Sequence, residues 1–179
     1  TGTGPAPNHG KSWQFLAAPS KGQTINAAWQ EGNVLPAVGT PGLGTILSTN
    51  NTGGTGFDII DVVAPSIKTF NPAGAGTWDG VTSTLAQIAN NKGYMVFIRG
   101  DRTVTTASQP AVATTLRTTG KLYAPGLEAP STSTVIAGKL ESIGNPYASA
   151  IDFTNLQSTS AGIDTKFYVW DPLLPGTNG

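Results

Sequence analysis

GYMVFIRGDR, residues 93–102, reads as the strongest strand in the chain, with Tyr94, Val96 and Ile98 on one face and Met95, Phe97 and Arg99 on the other. An apolar run on both faces implies a strand with neighbours on either side and cover above and below, so the stretch is expected at the centre of a sheet. Working outward, KSWQFLAAP (11–19) alternates Trp13, Phe15 and Ala17 against Ser12, Gln14 and Leu16 and stops at Pro19, a strand broken by a corner. TINAAWQEG (24–32) sets Ile25, Ala28 and Trp29 at helical spacing behind Thr24 as N-cap and ahead of Gly32, which predicts one or two helical turns.

FDIIDVVAPSIKTFNP (57–72) carries β-branched and aromatic mass for one or two strands. GTWDGV (76–81) places an Asp-Gly turn signal beside Trp78, and LAQIANNKG (85–93) suggests a helical turn. ATTLRTTGKLYAPG, STSTVIAGKLESIGNP and DTKFYVWDP add further strands, giving an expected eight to eleven. Residues 33–56 are poor in core formers and read as loops and short edge strands.

Composition agrees: 23 Gly, 13 Pro and 25 Thr among 179 residues favour short extended segments joined by turns. The expected fold is all-β, a jelly-roll-like sandwich of two mostly antiparallel sheets with one or two short helical turns. Residues 1–10 read as a linker and 11–179 as a single domain. Ten basic residues balance ten acidic ones, which leaves no electrostatic footprint for nucleic acid. No apolar run reaches the length of a membrane span, so membrane insertion is not expected. Cysteine is absent, which removes disulfides, thiolate metal sites and a Cys nucleophile.

A repeat is visible. WQFLAAPSKGQTIN and LESIGNPYASAID share an apolar start, a Pro (Pro19 and Pro146), a small polar loop, then Ile followed by Asn or Asp. SIKTFNP and TKFYVWDP follow those corners in the same order, so 139–179 reads as the start of a second unit without a counterpart of GYMVFIRGDR, and the natural polypeptide is expected to continue.

The series WQFLAAP, INAAWQEG, IKTFNP, GYMVFIRGDR, TTLRTTGKLY, SIGNPYASAIDF and FYVWDP, from about Lys11 to Trp170, resembles a module of large secreted proteins of Bacteroidota. The resemblance implies export by the type IX secretion route, a place outside the cell or at its surface, and a module with no assigned biochemical activity. It carries over no catalytic residues.

Chemistry-bearing residues are few. His9, the single histidine, lies in the linker, so a Ser-His-Asp arrangement or a His-rich metal site has nothing to build on. Glu31, Asp58, Asp61, Asp79, Asp101 and Asp171 could in principle serve glycoside hydrolysis, but no spacing pairs two of them. Arg99-Gly100-Asp101 spells a receptor-binding tripeptide. A hairpin end, with Gly100 in the turn and the arginines paired to acids, is the stronger reading. Asp58 and Asp61 are the candidates for a possible calcium ion, and the sequon Asn50-Asn51-Thr52 marks a polar loop. Asn145 and Asp152 read as backbone caps around the Pro146 corner.

Exposed aromatic rings are the remaining binding candidates: Trp78 with Asp79 beside it, then Trp29, Tyr147 and Trp170, although each ring also suits a core position. The expected function is that of a non-enzymatic structural or adhesive module. It would present loops and pack through sheet edges with neighbouring modules or copies of itself. The alternative is a carbohydrate-binding module of a larger secreted enzyme, recognising surface glycans.

Overall fold

The computed structural model describes residues 10–50, 53–89, 91–124 and 133–170. Most of the linker with His9, Asn51 and Thr52 of the sequon, and 171–179 with Asp171 lie outside the described residues. The regular structure is mostly strand and all-β in class: β1 (Ser12–Leu16), β2 (Ser20–Lys21), α1 (Ile25–Trp29), β3 (Ile67–Asn71), β4 (Thr77–Gly80), β5 (Tyr94–Ile98), β6 (Lys121–Leu122) and α2 (Phe153–Ser158). These six strands form two antiparallel sheets, one in the order β1-β5-β3-β4 and one pairing β2 with β6. The sheets do not close on one another.

β5 takes the interior place that its apolar faces require, with β1 on one side (Phe15 opposite Met95) and β3 on the other (Ile67 opposite Val96). The register divides the four-stranded sheet. One face carries Leu16, Ile67, Tyr94, Val96 and Ile98, and packs on α1 and on Leu47, Phe57 and Ile88 to form the core. The other carries Trp13, Phe15, Lys68, Phe70, Trp78 and Phe97, most of them half-buried. α1 forms as its sequence predicts: the Thr24 side chain accepts a hydrogen bond from the Ala27 N–H, and Ile25, Ala28 and Trp29 are buried.

Asp79-Gly80 lies inside β4 rather than in a turn. The β3–β4 connection uses 72–76 instead, where Gly74 and Gly76 supply the positive φ and the Gly76 N–H bonds the Ala73 carbonyl at 3.0 Å. A side chain at 80 would press within 2.7 Å of Pro65, so that glycine serves close packing. The described residues of LAQIANNKG form no helix. Its backbone runs beside 23–26, with Ile25 N–H to Ala86 carbonyl and Ile88 N–H to Gln23 carbonyl both at 3.0 Å, and these tertiary bonds outweigh a weak local propensity.

The expected eight to eleven strands are six among the described residues. FDIIDVV, 133–146 and 164–170 lie in no strand, and 113–124 yields only β6. The Asn145 side chain caps its corner, accepting from the Tyr147 N–H at 3.0 Å and donating to the Ser149 carbonyl at 2.6 Å. Asp152 is the N-cap of α2, a helix that was not expected and that buries none of its residues.

Ile67 is fully buried between β5 and the inner layer. Ile67→Ala should cost about 2–5 kcal/mol in urea unfolding, whereas Ile59→Ala, at a site 58% exposed, should change stability by less than about 0.5 kcal/mol.

Candidate functional site

The densest polar constellation joins Asp58 to Arg102, both fully buried. Two guanidinium nitrogens of Arg102 reach the two carboxylate oxygens at 2.8 and 3.0 Å, the bidentate geometry that suits this pair. Arg102 also donates to the carbonyls of Thr45 and Ala37, each at 3.1 Å. Asp58 further accepts from the Gln30 amide at 2.8 Å and from the N–H groups of Leu35 and Leu47 at 3.0 Å. Five donors therefore fill the oxygens of Asp58, and none is left to face a ligand.

The Asp61 carboxylate lies on the surface and accepts from the Ala107 N–H. The two aspartates considered for calcium are thus not brought together. Among the described residues no group of three or more His, Cys, Asp or Glu converges.

RGDR closes β5 inward. Gly100, at φ 129°, leaves no room for a side chain against the Val112 main chain. Arg99 and Asp101 are each only 5% exposed, so the tripeptide is folded into the structure. The Arg99 guanidinium lies over the Phe97 ring, and burial lowers its pKa against the opposing field of Asp61. Arg102 pairs with an acid as the hairpin reading expects. Arg99 makes no ion pair with any described residue, and its Nη1 is buried without a hydrogen-bond partner among them. Burial raises the Asp101 carboxyl, but hydrogen bonds from the Thr103 hydroxyl and the N–H groups of Gly42 and Thr103 hold it below its ordinary value.

Trp29 lies in the core at 2% exposure, edge-on to Tyr94, and is closed to ligands. Tyr147 is half-buried against Tyr123. The Trp170 indole donates to the Trp13 carbonyl at 3.3 Å. Trp78 is 38% exposed and contacts Phe15 and Phe70 edge-on at 5.8 and 5.4 Å. Asp79 points to the opposite face of β4, in register with Thr69, where Asn71 and Thr77 bond its carboxylate and lower its pKa. Trp78 and Asp79 are neighbours in sequence that do not share a surface.

Residues that sequence reading did not assign to a site complete the aromatic face around Trp78. Trp13 packs on Phe97 at 5.4 Å, Lys68 lies 5.0 Å above the Trp13 ring, and Phe15 and Phe70 flank Trp78. The signal for them was the alternation in β1, β3 and β5, which puts Trp13, Phe15, Phe70 and Phe97 on one side. The face can take an apolar partner or the flat side of a sugar ring. Among the described residues no helix is long and apolar enough to cross a membrane.

Asp58→Asn should cost about 3–5 kcal/mol, because it strands a buried guanidinium without its counter-charge; urea unfolding measures it. Asp101, with its folded pKa below the unfolded one, contributes stability above pH about 4 that is lost as pH falls through the folded value. Asp101→Asn should flatten the acid limb of the stability–pH curve. Comparison with family models, curated proteins and solved structures finds no match, which leaves the geometry to bear on function.

Proposed function

We propose that the chain is a non-enzymatic structural or adhesive module of a secreted or cell-surface protein, one that presents loops and packs through its sheet edges against neighbouring modules or copies of itself. The observation that carries this reading is β4. It is the terminal strand of the larger sheet, exposed along its whole length, and it bears a large aromatic ring. An edge strand with unpaired N–H and C=O groups is a template for strand addition, and exposed Trp is a strong anchor at interfaces.

The polar groups that chemistry would use are engaged elsewhere: Asp58 by Arg102, Asp101 by Gly42 and Thr103, Asp79 by Asn71 and Thr77. The sequence resemblance to modules of Bacteroidota proteins exported by the type IX route supports an extracellular setting. A jelly-roll-like sandwich is then the architecture of the assembled form, in which the aromatic face of the sheet receives a second layer. Balanced charge argues against nucleic acid as partner.

A second reading, a carbohydrate-binding module of a larger enzyme, is favoured by one observation, the partly exposed Trp78 ring held rigid between Phe15 and Phe70. It lacks a carboxylate on the same face, since Asp79 points away.

Light scattering after size exclusion should show a mass that rises with concentration, and Trp78→Ala should weaken association by about tenfold or more. A glycan panel should be silent. Binding that Trp78→Ala abolishes would establish the sugar reading instead.

A further inference from the structure

We infer that the partner of the β4 edge is the same edge of a second copy, the two strands running antiparallel about a twofold axis with Trp78 opposite Trp78. This rests on the edge-packing reading and names its partner and its register.

The sheet decides which main-chain groups β4 has to offer. The Phe97 N–H bonds the Ser66 carbonyl at 2.7 Å, and the Val81 N–H bonds the Ile67 carbonyl at 3.1 Å. Successive residues of a strand turn their main-chain groups to alternate sides, so Ser66, Lys68 and Phe70 turn to β5 while Ile67, Thr69 and Asn71 turn to β4. Through the register, Thr77 and Asp79 turn back to β3, and the N–H and C=O groups of Trp78 and Gly80 point off the sheet. No strand among the described residues lies beyond them, and all of β4 is exposed.

Two outward residues leave three registers for an antiparallel pairing of β4 with its own copy: Trp78 opposite Gly80, Gly80 opposite Gly80, or Trp78 opposite Trp78. The first sets Asp79 directly against Asp79, and like charges opposed across a ladder repel. The second overlaps the two strands only at their last residue, since β4 ends at Gly80. The third lays Thr77, Trp78 and Asp79 against Asp79, Trp78 and Thr77, all inside β4, and the two Trp78 residues exchange both main-chain bonds. Each carboxylate then faces a threonine hydroxyl, the donor it already uses within the chain, where the Thr77 hydroxyl bonds Asp79 at 2.8 Å. The single charge on β4 thus selects the register, and the strand is complementary to itself. A twofold axis normal to the sheet keeps both aromatic faces on one side, so two four-stranded sheets become one of eight strands with a continuous aromatic surface. A patch that closes on a twofold is used up by one partner, which limits growth through this edge to a pair.

The test exploits the absence of cysteine, because Thr77→Cys supplies the only thiol in the chain. With a rise of about 3.3 Å per residue and strands about 4.8 Å apart, the two residues 77 lie about 8 Å apart in the Trp78–Trp78 register, about 14 Å apart with Trp78 opposite Gly80, and about 20 Å apart with Gly80 opposite Gly80. Val81→Cys reverses that order. A bis-maleimide spanning about 8 Å should therefore join Thr77→Cys chains into dimers and leave Val81→Cys chains single, at concentrations where light scattering shows the mass rising. A simple maleimide verifies that both thiols react. Linking of Val81→Cys chains instead, or of either variant only by a reagent spanning about 14 Å, overturns the register. No linking from a chain whose mass still rises with concentration overturns the β4 pairing and leaves packing through another edge standing. A mass that stays at one chain overturns the pairing and the packing of copies together.

Discussion

The inner layer of this protein hangs on the Asp58–Arg102 pair. Residues 33–56 are rich in Gly, Thr, Pro and Asn, yet Ile46 and Leu47 within them are fully buried and Leu47 joins the core beneath the sheet. The pair gathers them. Arg102, just beyond β5, holds the carbonyls of Ala37 and Thr45, while Asp58 holds the N–H groups of Leu35 and Leu47 and the amide of Gln30 at the end of α1. Gln30 in turn donates to the Gly56 carbonyl at 3.1 Å. A buried ion pair adds little net stability when its desolvation is counted, but breaking it is costly, so its effect is to make alternative loop arrangements expensive. Leu47 and Phe57 reach the core because the chain on either side of them is tied this way.

That arrangement leaves the sheet asymmetric. Its core face is closed by α1 and the tied loops, whereas its aromatic face is only partly covered, with Trp78 at the margin. The tilted Trp13–Phe97 contact and the edge-to-face contacts of Trp78 with Phe15 and Phe70 contribute about 0.5–1.5 kcal/mol per pair beyond burial. They hold the rings in place without burying them fully. The result is a rigid apolar surface, and rigidity lowers the entropic cost of docking a partner.

Local signals were legible where the interaction is local. The alternation of GYMVFIRGDR placed β5 at the sheet centre, the Thr24 cap placed α1, and the Asn145 and Asp152 caps stand where their side-chain chemistry suggested. Signals failed where a distant partner decides. Arg102 and Asp58 are 44 positions apart, so nothing local marks the carboxylate as an anchor rather than a ligand. Asp79-Gly80 is a good turn dipeptide overruled by a better turn at 72–76 and by Pro65 above the glycine. DTKFYVWDP has strand composition, but a strand needs a neighbour as well as a propensity, and no described segment pairs with 164–170. The same limit governed the site: the aromatic face is assembled from four strands, and only the register between them puts its rings on one side.

The fate of Arg99-Gly100-Asp101 shows why function should be sought on the apolar surface. A tripeptide that recognises receptors needs its guanidinium and carboxylate extended into solvent, whereas here Arg99 packs over Phe97 and Asp101 accepts from Gly42 and Thr103. Releasing either group would break the hydrogen bonds that Asp101 accepts from Gly42 and Thr103 or uncover the Phe97 ring. Asp58, Asp101 and Arg102 are spent on holding irregular backbone in place. Trp78, exposed on the edge strand of the larger sheet, offers a surface that recognises shape and strand rather than charge.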